Sequence, residues 1–262
     1  MSRSVVLSGT ERCERCMLPL RWCVCDAVEP VRSDLRADIL LHTREQWRPT
    51  STGKLIERAL AGARTHIHSR TVPIGRETLV EPGRALWILH PRGAMIPTEQ
   101  LAATDPAGVQ VLLIDGSWGE ASRVVTAVEH WGRLVRLPLA GESRYWLREQ
   151  QGEGNLSTVE TLIGLLELMG RREEAGKLRL HFELHVYAAL RSRGRKALAA
   201  EYLSGSPIRN ALPTLLERLH ERRPNTESEA RRGMARGERW GRIAGGPARE
   251  ATEEDGARED QP

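Results

Sequence analysis

The chain has 262 residues, of which 40% are hydrophobic and 28% charged, and its formal net charge is +4 at pH 7. This composition supports a folded core and excludes a chain that is disordered throughout. Its longest apolar runs are about four residues, as at 111–114, whereas a membrane-spanning helix needs ~20, so a transmembrane protein is excluded. Residues 1–7 lack the apolar stretch of a secretory signal, so we expect a cytoplasmic protein.

A cluster of cysteines lies near the start of the chain with the spacing C-x2-C-x6-C-x-C: Cys13, Cys16, Cys23 and Cys25. Four thiolates so close together can close a tetrahedral zinc site, which leaves no open position for a substrate. Two disulfides are the alternative, and a reducing compartment makes them the weaker one. We therefore predict a structural Zn²⁺ site in an N-terminal segment, residues 1–33.

From residue 34 onward the pattern alternates between apolar strands and amphipathic helices. The predicted strands lie at 37–42, 85–90, 109–114 and 134–137, and the predicted helices at 55–61, 118–131, 157–169 and within 173–221. The unbroken apolar run at 109–114 indicates a strand buried on both faces, as in a parallel sheet. The alternation predicts an α/β domain over residues 34–221.

The last part of the chain, residues 222–262, is dominated by Arg, Glu, Asp, Gly and Ala and contains no Phe, Tyr, Leu or Val. Such a segment buries too little apolar surface to offset the entropy lost on ordering. We predict a disordered charged tail, and its contact with RNA stays open.

Three polar clusters lie where an open α/β sheet binds its ligands, at the carboxyl ends of strands. Residues 48–53 offer hydroxyls and a glycine before a helix, which suits either an anion or a plain N-cap on Thr52. Asp115 follows the most apolar strand, where it can act as a general base or, like Ser117, cap the next helix. Ser157 and Glu160 have the spacing of a capping box, which leaves room for a ligand role as well.

Taken in order, these motifs resemble those of the DTW-domain family, the tRNA-uridine aminocarboxypropyltransferases. The cysteine cluster matches first, and His42, Glu45 and the run at 48–53 are similar to the family's H-x-x-E-x-x-R-P-T-N-T-G segment. Three further matches are Leu89-His90-Pro91, Asp115-Gly116-Ser117-Trp118 (the D-x-T-W signature) and Leu156-Ser157-Thr158-Val159-Glu160. Ser51 and Ser117 replace the usual Asn and Thr, which leaves substrate preference in doubt. The resemblance covers about residues 13–170.

The resemblance implies a transferase that moves the 3-amino-3-carboxypropyl group of S-adenosylmethionine to N3 of a tRNA uridine and releases methylthioadenosine. It also implies a SPOUT-like parallel sheet flanked by helices, a fold that is knotted in related ribosomal-RNA enzymes. Asp115 is our candidate for the base that removes the N3 proton. The residues expected to bind S-adenosylmethionine are Thr50, Thr52, Gly53, Leu89, His90, Pro91, Leu113, Ile114, Gly116, Ser117, Leu156, Ser157, Thr158 and Glu160.

Arginine outnumbers lysine by 36 to three, which suits phosphate binding because the guanidinium fork binds bidentately, although a GC-rich genome produces the same bias. We predict tRNA contacts from Arg48, Arg144, Arg148, Arg191, Arg193 and Arg195.

Two other functions remain as alternatives: a methyltransferase of similar fold with the same donor, and a non-enzymatic zinc-containing RNA-binding protein. The sequence does not determine the oligomeric state.

Overall fold

The computed structural model describes residues 10–69, 71, 74–148 and 156–220, without the side chain of Trp118. Within these ranges the strands are β1 (Arg36–His42), β2 (Arg64–His68), β3 (Ala85–Met95), β4 (Val109–Asp115) and β5 (Arg133–Arg136). The helices are α1 (Thr52–Ala59), α2 (Arg76–Leu79), α3 (Thr98–Ala102), α4 (Trp118–Val128), α5 (Thr158–Leu168), α6 (Arg172–Ser192), α7 (Lys196–Ser204), α8 (Ile208–Ala211) and α9 (Pro213–His220).

The five strands form one parallel sheet in the order β2-β1-β4-β3-β5. The α/β class and the parallel sheet predicted from the sequence are therefore confirmed. Strands β1 and β4 lie side by side at the centre, and Leu41 is paired with Asp115. Parallel pairing places the carboxyl ends of neighbouring strands at one edge, where the polar clusters of the sequence converge.

Buried side chains cover both faces of the sheet. Ile39 and Leu113 face a large core shared with α1, α5 and α6, whereas Leu40 and Leu112 face a smaller core beside α2 and α4. This alternation explains why the central strands have continuous apolar runs, since both of their faces are covered. None of the described helices is long and apolar enough to span a membrane.

The prediction of four strands was wrong by one strand, because Arg64–His68 forms the edge strand β2. Most of its side chains are only half-buried, so it lacks the apolar run that marked the central strands. Strand β3 continues to Met95, beyond the predicted end at residue 90, through a bulge between Leu89 and Ala94. Gly93 permits this course, since a Cβ there would lie 2.5 Å from the backbone of Val135.

The cysteine segment packs onto the α/β core. Cys16, Leu18, Trp22 and Cys25 are buried in the same cluster as residues of α5 and α6. The described residues 10–33 therefore share one core with the predicted catalytic domain, residues 34–221. The predicted disordered tail, residues 222–262, lies outside the described residues.

Candidate active site

A cavity of about 420 Å³ lies at the carboxyl ends of the central strands. Pockets of roughly 300–1,000 Å³ hold small molecules in proteins, so this one is of a suitable size for a cofactor. Its lining comes from the start of α1, residues 89–91 within β3, residues 113–121 from the end of β4 into α4, the segment 135–148 and the start of α5. The polar motifs of the sequence thus meet around one space.

All but two of the residues predicted to bind S-adenosylmethionine line this cavity, and the exceptions are Gly53 and Glu160. Gly53 lies behind it, where a Cβ would be 2.7 Å from Ile39 and 3.0 Å from Asp115, so the glycine lets α1 approach the sheet. The Glu160 carboxylate accepts hydrogen bonds from Ser157 and Ser143 and from the backbone of Arg144. Ligand contact by the lining residues stays a prediction.

The carboxylate of Asp115 is buried and accepts four hydrogen bonds. One oxygen binds the Ser51 hydroxyl at 2.8 Å and the Gly53 N–H at 3.1 Å. The other oxygen binds the Thr52 hydroxyl at 3.2 Å and the Thr158 hydroxyl at 2.8 Å. A carboxylate has about four lone-pair positions, so these donors occupy all of them.

The N-cap of α1 is Ser51, whose hydroxyl accepts the Lys54 N–H at 3.2 Å, so the alternative of an N-cap on Thr52 was wrong. Asp115 accepts the Gly53 N–H of the same helix from across the sheet and does not cap α4, the helix that follows it. In α4 the cap is Ser117, whose backbone N–H and hydroxyl both bind the Glu120 carboxylate, at 3.0 and 2.7 Å. Of the two capping alternatives drawn from the sequence, the one on Ser117 is correct.

Two side chains, those of His185 and Tyr145, hold the loop before α1 in place through its carbonyl groups. His185 is buried, and its Nε2 lies 2.7 Å from the carbonyl oxygen of Pro49. Burial, with a smaller effect of the Arg58 charge, lowers the pKa of His185 to about 3, so the ring is neutral and donates its Nε2–H to that carbonyl. The Tyr145 hydroxyl donates to the next carbonyl, that of Thr50.

A buried carboxylate anchors the cationic side of the cavity. Glu45 is 1% exposed and binds Arg48 at 2.6 Å through one oxygen and Arg148 through the other. Arg148 also donates to the Thr50 hydroxyl at 3.0 Å and lines the cavity. Arg148 therefore offers the cavity a guanidinium group in a fixed orientation, which suits a ligand carboxylate or phosphate.

His90 lines the cavity and has a buried ring nitrogen without a partner in the described part of the chain. Its Nδ1 accepts the backbone N–H of Arg92 at 3.2 Å, so the neutral ring has its proton on Nε2. That Nε2 is buried and has no hydrogen-bond partner among the described residues. Burial, reinforced by the Arg92 charge, lowers the pKa of His90, which keeps the ring neutral.

The four cysteines have the geometry of a metal site. The Sγ atoms of Cys13 and Cys25 are 3.8 Å apart, those of Cys16 and Cys23 are 3.9 Å apart, and all four lie within 4.8 Å of one another. Zinc–sulfur bonds of ~2.3 Å in a tetrahedron require sulfur–sulfur distances of about 3.8 Å. The cluster could therefore bind a zinc ion.

The predicted RNA-binding arginines differ in their surroundings. Arg144 binds Glu183 at 3.1 Å and stacks on Tyr202, and Arg191 stacks on Trp22, so both hold parts of the fold together. Arg193 is exposed but donates to the carbonyl of Leu147, and Arg195 is exposed. Their contact with tRNA stays a prediction, as it does for Arg48 and Arg148.

Several lining residues were not predicted from the sequence: Ala121, Val135, Arg136, Leu137, Leu139, Tyr145 and Thr161. Tyr145 and Leu139 lie in an irregular segment without periodicity, so no local pattern marked them. Thr161 had a signal, because it lies one helical turn after Thr158 and so shares its face of α5.

A parallel sheet with a cavity of mixed polar and apolar lining at its carboxyl edge defines an α/β ligand-binding protein with a carboxylate at the centre of its site. The family model of the DTW domain matches residues 10–190, and the chain belongs to this family. It is similar to "tRNA-uridine aminocarboxypropyltransferase 2" of Drosophila melanogaster, with 29% identity over 174 residues, 62% of this chain and 68% of the relative. No solved structure matches it.

Proposed function

We propose that this protein transfers the 3-amino-3-carboxypropyl group of S-adenosylmethionine to N3 of a uridine in tRNA. The observation that carries the proposal is the convergence of four DTW-like motifs on one cavity around Asp115. The name of the fly relative, an aminocarboxypropyltransferase acting on tRNA uridine, supports it.

The cavity fits S-adenosylmethionine in volume and in the chemistry of its lining. Leu89, Pro91 and Leu113 offer apolar surface for the adenosyl part, and Arg148 offers a fixed cation for the amino-acid carboxylate. When bound, S-adenosylmethionine supplies a carbon attached to a positively charged sulfur, which departs as neutral methylthioadenosine.

The uridine must lose its N3 proton to become a nucleophile, and Asp115 is the proposed acceptor. Because its lone pairs are occupied, the proton reaches it through a hydroxyl. Thr158 lines the cavity and donates its own hydrogen to Asp115 at 2.8 Å, which leaves its lone pairs for the N3–H. General-base assistance of this kind contributes about 10²–10⁴-fold to a rate.

Three further parts of the proposal rest on different supports. The parallel order β2-β1-β4-β3-β5, with all ligand loops at one edge, supports a SPOUT-like fold. The sulfur geometry supports a structural Zn²⁺. The tRNA substrate is supported by the relative's name, and the cytoplasmic location stays a prediction.

The decisive experiment uses S-adenosylmethionine labelled either in the carboxyl group or in the methyl group, with unmodified tRNA transcripts. We expect the carboxyl label in the RNA and methylthioadenosine in solution. The methyl label in the RNA, with S-adenosylhomocysteine released, would identify a methyltransferase instead. RNA binding without transfer of either label would identify a non-enzymatic protein.

A further inference from the structure

One exposed aromatic side chain lies in the loop before α1, with a lysine beside its ring. Trp47 is 66% exposed, more than any other large hydrophobic side chain in the part of the chain that the structure describes. The Lys54 ammonium lies 5.7 Å from the centre of its ring. Arg48 is its neighbour in sequence, and the side chain of Arg44, three residues earlier, is 76% exposed and lies 3.6 Å from the Glu120 carboxylate.

The position of Trp47 follows from the loop that it belongs to. Thr50 lines the cavity, and three residues span at most ~11 Å, so the backbone of Trp47 lies no farther than that from a lining residue. Turn hydrogen bonds from Arg48 N to Glu45 O and from Ser51 N to Arg48 O shape this loop. His185 binds the carbonyl oxygen of Pro49 in this loop, so the backbone close to Trp47 is held in place.

An isolated exposed apolar residue needs no explanation by itself, but the surroundings of this one are specific. Residues 43–50 contain no other large apolar side chain, so Trp47 is not part of an apolar patch. The carboxylate in this stretch, that of Glu45, is buried and paired with arginines. A flat exposed ring with a lysine beside it matches an unpaired nucleotide, which has a π-face and a phosphate.

We propose that Trp47 is a stacking platform for an unpaired base of the tRNA next to the target uridine, with Arg44, Arg48 and Lys54 contacting its phosphates. The inference rests on the proposed function, because a tRNA loop is the occupant. Such a platform holds the loop over the cavity while the target base enters it. It predicts that Trp47 acts on RNA binding and not on the chemical step.

The test compares Trp47→Phe, which keeps an aromatic face, with Trp47→Leu, which keeps the apolar character alone. For Trp47→Leu we expect tRNA binding to weaken about 10-fold or more, since stacking on an aromatic ring is worth that much. Trp47→Phe stays within about 3-fold of the parent because it still stacks. Transfer by Trp47→Leu shows a raised KM for tRNA, with kcat at saturating tRNA and binding of S-adenosylmethionine unchanged.

Cation variants complete the test. Lys54→Ala lowers the slope of log affinity against log salt by about 0.7–0.9, the value for one phosphate contact. Lys177→Ala, which removes an exposed lysine paired with Glu173 on α6, leaves the slope unchanged.

The outcomes separate this inference from the proposed function. Wild-type tRNA affinity in Trp47→Leu overturns the platform, even if the parent protein transfers the carboxyl label. Loss of affinity in Trp47→Leu together with no transfer by the parent supports the platform and overturns the transferase. A change of oligomeric state in Trp47→Leu without loss of RNA affinity shows a protein contact and also overturns the platform.

Discussion

Thr158, the first residue of α5, donates its hydroxyl to Asp115, the last residue of β4, at 2.8 Å. This bond joins two motifs 43 residues apart in the sequence. Two residues further along α5, Glu160 binds Ser143 and the backbone of Arg144. One helical turn therefore fixes both the central carboxylate and the segment that supplies Tyr145 and Arg148 to the cavity.

Replacing Asp115 by Asn removes the proposed proton acceptor and changes few atoms. An amide has one acceptor oxygen in place of two, so part of the donor set loses its partner, at a cost of about 1–3 kcal/mol of stability. We expect transfer to fall by about 10² or more, while S-adenosylmethionine binding stays within about tenfold. Label transfer and calorimetric titration measure the two effects, and a near wild-type rate would make Asp115 a structural cap alone.

Thr158 provides a matched pair of variants for the proposed proton path. Thr158→Ser keeps the hydroxyl, and we expect a rate within about tenfold of the parent, whereas Thr158→Val keeps the shape without the hydroxyl and loses about 10²-fold. Equal rates in the two variants would remove Thr158 from the path. Thermal unfolding of both variants, followed by circular dichroism, controls for damage to the fold.

Metal removal tests the cysteine cluster. We expect about one zinc per chain in the parent protein and none in Cys16→Ser. We also expect the free energy of unfolding of Cys16→Ser to fall by at least about 3 kcal/mol, which is a fraction of what a structural zinc contributes. The effect reaches the whole domain because Cys16 and Cys25 belong to the same core as α6. Elemental analysis and urea unfolding measure it. Leu20→Ala, an exposed change in the same segment, leaves both values unchanged, and a folded, active protein without metal would contradict the prediction.

His185 makes the free energy of unfolding depend on pH. Its pKa is about 3 in the fold and about 6.5 when unfolded, so between these values only the unfolded chain binds the proton. Stability therefore falls as the pH falls, by about 1 kcal/mol between pH 7.5 and 6.0. In His185→Gln, which can still donate to Pro49, the dependence on pH is weaker by that amount. Parallel urea titrations of parent and variant would refute this if their pH dependences coincided.

Arg195 offers the cleanest test among the predicted RNA contacts, because its side chain is exposed. We expect Arg195→Ala to lower the salt slope of tRNA binding by about 0.7–0.9 without destabilising the fold. Arg144→Ala, in contrast, breaks the pair with Glu183 and lowers the melting temperature. An unchanged slope in Arg195→Ala would locate the RNA surface elsewhere.

Local patterns in the sequence predicted those parts of the structure that local physics determines. The apolar run at 109–114 marked the strand covered on both faces, and the spacing of Ser157 and Glu160 marked the capping box. The edge strand β2 was missed because it is half-exposed. The family resemblance supplied most of the cavity lining, since its motifs fall at the carboxyl ends of the strands.

Local patterns in the sequence could not predict the hydrogen bonds of the site. Asp115 receives donors from Ser51 and Thr158, which are 64 and 43 residues away, and only the pairing of β1 with β4 brings the first of these close. For the same reason the sequence suggested a free base, whereas the structure has a carboxylate with its lone pairs engaged. Trp47 was overlooked because the exposure of a loop residue depends on the tertiary structure.

The positions of the strands and of α5 along the chain determine when, during synthesis, this site can form. Strand β1 leaves the ribosome long before β4, its neighbour at the centre of the sheet, and β5 follows later still. A nascent chain that has completed the sheet still lacks the hydroxyl of Thr158. A messenger truncated before that codon would encode all five of the described strands and yet leave Asp115 without its donor from α5.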